Sequence, residues 1–337
     1  MSGFALGIDG GQTATTAAIC DLSGRLLGIG RAGPANHVWE PGGVARARRA
    51  VTGSIAQALR EAKLKASHRL EACGTGKPAR FEAAFLGMTG GDARTTRAIK
   101  RCIRTVRFQL ENDSVSALAS VTAGKPGVVV IAGTGTITYG MNARGDTAKA
   151  SGWGYLLGDE GGGFWIAKQA IAAACRAYDG RAGETALAPL LLRAAGVNDL
   201  WDLHGLIYSG KMSRAEMAAL AAVAPEAARA GDAAARRILA EAGKELGLSA
   251  AVVAERLGMQ RGGVIVGMVG GVFNGSPEVR RSFTREVRRH APRAAFADSR
   301  FAPAIACVLL ALKMAGVRPT AAVLRNLAAA SEAVGSK

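Results

Sequence analysis

The chain is poor in the groups that staple or metallate small proteins. Its 5 cysteines (Cys20, Cys73, Cys102, Cys175, Cys307) include no CxxC pair, and its 4 histidines (His37, His68, His204, His290) do not cluster. That argues against a disulfide framework and against a short-range zinc site. Aromatic residues make up only 5% of the chain, so Ala, Val, Leu and Ile must carry the packing. Long apolar runs are missing as well. The longest, residues 301–312, falls short of the ~20 residues that span a bilayer. No leader is visible, because residues 4–8 run straight into a strand pattern that Asp9 interrupts. The expectation is a soluble cytoplasmic protein without membrane contact. Acidic residues are scarce too: 26 Asp and Glu against 43 Lys and Arg leave a net charge of +17. Such a balance suits anionic substrates or nucleic acid. However, Arg97, Lys100, Arg101, Arg104 and Arg107 form one stripe at helical spacing, and Arg281, Arg285, Arg288 and Arg289 another. Neither stripe is interleaved with aromatics for base stacking, so both read as solvated helix faces and no nucleic-acid partner is expected.

What the chain has in quantity is apolar residue (49%) and glycine (45 of 337), with length for two domains. Residues 4–8, 16–21 and 25–30 read as a strand meander. They are followed by a helix at 44–66, strand 83–88, helix 93–102, strand 106–110 and helix 115–123. Lys125-Pro126-Gly127 punctuates the chain. Beyond it come strands at 128–132 and 137–142, a helix at 160–178 and alanine-rich helices over 184–258. Strand 264–269, helix 274–290, strand 294–297 and helix 304–315 complete the series. Without the alanine-rich insertion the second half follows the βββαβαβα order of the first, with two of its three opening strands marked by apolar runs. The halves open alike: a strand, then Asp9-Gly10-Gly11-Gln12-Thr13 or Gly133-Thr134-Gly135-Thr136, then a strand. An internal duplication is the expectation, with lobes at 1–123 and 124–337.

A Gly-Gly pair is often only a tight turn. Here each pair ends an apolar strand beside threonine hydroxyls, a composition that lets backbone N–H groups and hydroxyls close on phosphate oxygens. GxxxxGK[ST] is absent, which excludes a P-loop, and no GxGxxG follows the first strand. Asp9, at the end of a buried strand, reads either as an Asx turn or as a carboxylate holding Mg²⁺ through water. Gly270-Gly271 follows another apolar strand and opens a helix, as a plain turn or as a close approach for a nucleotide. Asn112-Asp113 precedes a helix, where either residue can serve as the cap.

The segments GIDGGQTATT, GPANHV, MTGGD, ENDSVSAL, IAGTGT, SGWGYLLGDEGGGFW and VGGVFNG occur in this order over nearly the whole chain. In this the chain resembles the N-acetylglucosamine kinase and BadF/BadG ATPase group of the actin/Hsp70/hexokinase superfamily. The resemblance implies an α/β, two-lobed, ribonuclease H-like (actin-like ATPase) fold with a duplicated core and a helical insertion in the second lobe. ATP would bind between the lobes and closure would exclude water. It implies an ATP-dependent kinase with Mg²⁺, transferring phosphate to the 6-hydroxyl of a sugar. N-acetylglucosamine stands first, ahead of glucosamine, N-acetylmuramic acid and glucose. The phosphate hairpins would be Asp9–Thr13 and Gly133–Thr136, the adenosine motif Gly270, Gly271 and Asn274, and the general base Asp113. Asp9 and Asp113 would be the metal-side carboxylates. The sugar would be read by Asn36, His37, Gly90, Gly91, Asp92, Asn112, Asp113, Gly154, Asp159 and Glu160. A homodimer is expected. Three positions depart from the family pattern: Gln12 for Gly, Ala14 for a basic residue and Gly162 for Ser. Two other classes stay open. An ATPase activator of an acyl-CoA dehydratase or reductase would need an iron–sulfur cluster, which Cys20, Cys102, Cys175 and Cys307, all inside predicted strands or helices, disfavour. A sugar-sensing regulator would need a DNA-binding element, and no helix-turn-helix precedes the first strand.

Overall fold

The computed structural model describes residues 3–11, 13–35, 38–65 and 80–335. Gln12, Asn36, His37, His68 and Cys73 lie outside the described residues. Two compact units result, Met1–Lys125 with Ser299–Lys337, and Pro126–Asp298.

In the first unit β1 (Phe4–Gly10), β2 (Thr15–Asp21) and β3 (Leu26–Ala32) form an antiparallel meander, and β4 (Arg80–Met88) and β5 (Arg104–Glu111) add in parallel. The sheet order is β3-β2-β1-β4-β5. Both faces are covered, as a largely buried sheet requires. Leu6 and Ile8 of β1 enter one core with Ala47, Val51 and Ile55 of α1 (Gly43–Lys65) and Ile99 of α2 (Ala93–Lys100). On the other face Ala5 packs with Ala119 of α3 (Asp113–Thr122).

The second unit repeats this order. Its strands β6 (Gly127–Ala132), β7 (Thr136–Met141) and β8 (Thr147–Ala150) are antiparallel. They are joined in parallel by β9 (Ile265–Val269) and β10 (Ala295–Asp298), giving β8-β7-β6-β9-β10. The duplicated core is therefore present. Between β8 and β9 lie α4 (Gly163–Tyr178) and the insertion: α5 (Leu187–Ala195), α6 (Leu200–Tyr208), α7 (Arg214–Ala219), α8 (Val223–Arg229) and α9 (Ala233–Arg256). The helix expected at 274–290 is two, α10 (Gly271–Gly275) and α11 (Pro277–His290), because Ser276 caps the second through Val279 and Pro277 follows at its first turn.

The expected boundary at 123/124 needs one correction. Helices α12 (Pro303–Met314) and α13 (Ala321–Gly335) belong to the first unit, where Ile305, Val308 and Leu309 share a core with Ala5, Phe85 and Leu327. The contact is close enough that a Cβ on Gly7 of β1 would strike the backbone of Ala304 and Val308.

Candidate active site

In parallel α/β sheets, ligand chemistry collects beyond the carboxyl ends of the strands. The first unit follows this rule. Asp9 pairs with Gly87 across β1 and β4, and Gly87 pairs with Glu111 across β4 and β5. Asp9, Thr89 and Asp113 therefore leave three adjacent strands at one edge. Asp113 is not the cap of α3: Asn112 is, its side chain accepting the Ser114 N–H at 3.1 Å. The Asp113 carboxylate accepts instead from Thr89 Oγ1 at 2.8 Å. Asp9 is partly buried at the strand end, and desolvation there, with the Asp113 charge added, pushes its carboxyl up to about 7.

The first hairpin closes through Gly11 N–H to Ala14 C=O at 3.0 Å, and Thr13 is exposed. Gly10 is tightly packed, since a Cβ there would lie 2.9 Å from Met88 Cβ. Asp92 has a structural partner: it caps α2 by accepting Thr95 N–H at 2.7 Å, and this bond holds its carboxyl below the usual range. Gly90, with φ +77°, turns the chain between β4 and that cap, and a Cβ on Gly91 would strike Leu110.

The second unit carries the matching hairpin. Gly133 N–H bonds Gly135 C=O at 3.0 Å, while the carbonyls of Gly133 and Thr134 accept from Gly163 and Phe164 at 2.8 and 3.0 Å. The hairpin thus caps α4, where Gly162 has no side chain to do so. Asp159, with φ +61°, is buried beneath it. Its carboxylate accepts backbone N–H bonds from Thr136 and, at 3.3 Å, from Gly154, and desolvation nevertheless raises its pKa. A Cβ on Gly135 would strike that carboxylate. Asp159 and Gly154, expected on the sugar side, are hydrogen-bonded to each other beside the second glycine hairpin, with Glu160 half-buried next to them. In both hairpins the first residue of the returning strand, Thr15 or Thr136, is a buried threonine whose hydroxyl has no partner among the described residues.

Gly133, Thr134 and Gly163 also line a cavity of about 470 Å³. Its other walls are Gly271, Val272 and Gly275 of α10 and the alanine-rich stretch from Ala215 to Ala222, closed by Pro225, Arg229 and Leu239. The second hairpin and the Gly270-Gly271 motif therefore meet in one largely apolar slot. Gly270 sits at φ +109° with a would-be Cβ against the Ala132 carbonyl. Gly270→Ala is expected to cost about 1–3 kcal/mol, read as a lower urea midpoint. Gly133→Ala, with open space at its Cβ, should leave the midpoint in place.

The profile of the BadF/BadG/BcrA/BcrD ATPase family matches residues 6–311. The chain belongs to this family. Among its relatives is the N-acetylmuramic acid/N-acetylglucosamine kinase of Clostridium acetobutylicum, 30% identical over 91% of this chain and 98% of the relative. The N-acetyl-D-glucosamine kinase of Dictyostelium discoideum is 30% identical over 76% of this chain and 81% of the relative. Among solved structures, a candidate N-acetylglucosamine kinase from Chromobacterium violaceum superposes with a TM-score of 0.69 at 25% identity, covering 92% of this chain and 99% of that one. This BadF/BadG-type chain has the actin-like ATPase fold of that neighbour. Its Cys20 and Cys307 are buried, whereas Cys102 is exposed just beyond the end of α2 at Lys100, not inside the helix as expected.

The sequence reading missed two parts of the site. Thr89 carries a signal, since it directly precedes Gly90-Gly91-Asp92. The alanine wall of the cavity carries none, because alanines in a helix look the same whether they face a core or a ligand.

Proposed function

We propose that this ATPase-family member is an amino-sugar kinase that transfers the γ-phosphoryl group of ATP to the 6-hydroxyl of N-acetylglucosamine, with N-acetylmuramic acid the next substrate. The observation that carries the reading is the division of labour at the start of α3. Asn112 caps the helix, so the adjacent carboxylate of Asp113 is left for chemistry, at the strand edge beside Asp9. In phosphoryl transfer the protein contributes positioning, charge and a base. Asp113 accepts the proton of the sugar hydroxyl as that oxygen attacks phosphorus. Each glycine hairpin offers backbone N–H groups suited to phosphate oxygens. The apolar slot holds the adenine.

Asp9, with the Asp113 charge beside it, fits Mg²⁺, which is commonly held by one or two carboxylates together with substrate phosphates. When bound, Mg²⁺ would supply neutralisation of the phosphate charge.

A coupled ATP-turnover screen over hexoses, amino sugars and muramic acids tests the reading. Turnover is expected with N-acetylglucosamine first; no turnover with any sugar would overturn it. The nucleotide slot has its own test. Ala222, on the exposed lip of the cavity, tolerates a larger side chain without disturbing a core. Ala222→Phe should raise the KM for ATP about tenfold or more, with sugar binding by calorimetry unchanged.

A further inference from the structure

The end of β4 holds a side chain that neither the hairpins nor the slot account for. Thr89 lies two residues beyond Gly87, and Asp113 two beyond Glu111, its registered partner on β5. Parallel pairing thus brings the two residues side by side, and Thr89 Oγ1 sits 2.8 Å from Asp113 Oδ2. An ionised carboxylate only accepts, so the hydroxyl donates. Among the described residues, Thr89 is the side chain hydrogen-bonded to that carboxylate. The backbone of Asp113 is held separately, its carbonyl accepting from Ser116 Oγ at 2.8 Å. Thr89 is held in turn: as a β-branched residue it is stiff at χ1, and the next two residues are Gly90 at φ +77° and Gly91 packed against Leu110.

We propose that Thr89 is a positioning residue for phosphoryl transfer: its hydroxyl pins Oδ2 of Asp113 and leaves Oδ1 as the oxygen that takes the sugar proton. The inference rests on Asp113 being the base. Without the pin the carboxylate turns about its own bonds beside a second acid, Asp9, and the reactive geometry is populated only part of the time. The sugar proton passes to Asp113 alone. Thr89 keeps its own proton throughout and neither gains nor loses a bond.

The experiment is a double-mutant cycle with steady-state kinetics on the full chain. Thr89→Val, isosteric but without the donor, should lower kcat by roughly 10- to 100-fold, the worth of one hydrogen bond to a charged group. KM for ATP should stay within about twofold, because the nucleotide slot is untouched. Thr89→Ser should recover most of the loss. In an Asp113→Asn background, Thr89→Val should have no further effect on kcat, since a residue acting through Asp113 has nothing left to position. Near wild-type kcat for Thr89→Val, or a Ser variant no better than Val, would overturn the proposal. So would a Val substitution that exerts its full effect in the Asp113→Asn background. The control separates this from the parent reading: if Asp113→Asn alone turns over normally, the base assignment has failed; if it is inactive while Thr89→Val is normal, only the positioning role has.

Discussion

Asp113→Asn is expected to lower kcat by at least about a hundred-fold, the lower end of what general-base catalysis supplies, while the melting temperature barely moves. The structure makes the second half of that expectation firm. The cap of α3 is the Asn112 side chain on Ser114 N–H, so the helix start does not depend on the carboxylate of Asp113. An asparagine at 113 still accepts the Thr89 hydroxyl bond through its amide oxygen, but its amide cannot take up the sugar proton. Sugar affinity should change far less than kcat. Asn112→Ala is the complement: it removes the cap and should cost ~1 kcal/mol of stability. A folded Asp113→Asn protein with near wild-type turnover would sink the mechanism.

Asp9→Asn should do something less usual, stabilising the ligand-free protein while abolishing its use of Mg·ATP. Burial and the Asp113 charge raise the Asp9 carboxyl from the ordinary 3.8 to about 7. In the unfolded chain this acid ionises near pH 4, whereas in the folded chain it keeps its proton until about pH 7. Its stabilising effect is therefore complete below the unfolded value, falls as pH rises through that window and is gone above it. At 1.36 kcal/mol per pH unit the loss has a ceiling of about 4 kcal/mol. Urea midpoints of the wild type should thus drop between pH 5 and pH 8, and those of Asp9→Asn should drop less. At pH 8 the variant should be the more stable protein. Calorimetry should show sugar binding kept and Mg·ATP binding lost. An Asp9→Asn protein that unfolds more readily than wild type at pH 8 would mean that the carboxylate is structural.

Much of this architecture could be read without coordinates, for physical reasons that differ by element. β1, β6 and β9 are buried on both faces, so they appear as short apolar runs, and the glycines that end them mark the hairpins and the Gly270 turn. β8 escaped because Thr147–Ala150 alternates between exposed and half-buried and has no apolar run. α12 was placed with the wrong unit, and the residues of α13 with it, because periodicity shows that a segment is a helix, not which sheet it returns to. At the site, residue type left Asn112 and Asp113 equal as caps, and only the partner atoms of each side chain separate them. Asp159 was assigned through resemblance, and its bonds to the backbone N–H groups of Thr136 and Gly154 carry no mark in the sequence. The chemistry of these residues was legible; their pairings depend on contacts between segments far apart in the chain.

The strand that carries Asp9 rests on the last helices of the chain, and this orders events during synthesis. Pro126–Asp298 is one continuous stretch that can fold as a unit while the ribosome is still working. The first unit cannot be completed at that stage. With Ser299–Lys337 unmade, Ala5 and Phe85 lack the partners supplied by Ile305, Val308 and Leu309. The two carboxylates proposed for phosphoryl transfer are translated early, but the scaffold beneath them arrives last, so the cavity of the second unit would be complete before the first unit is.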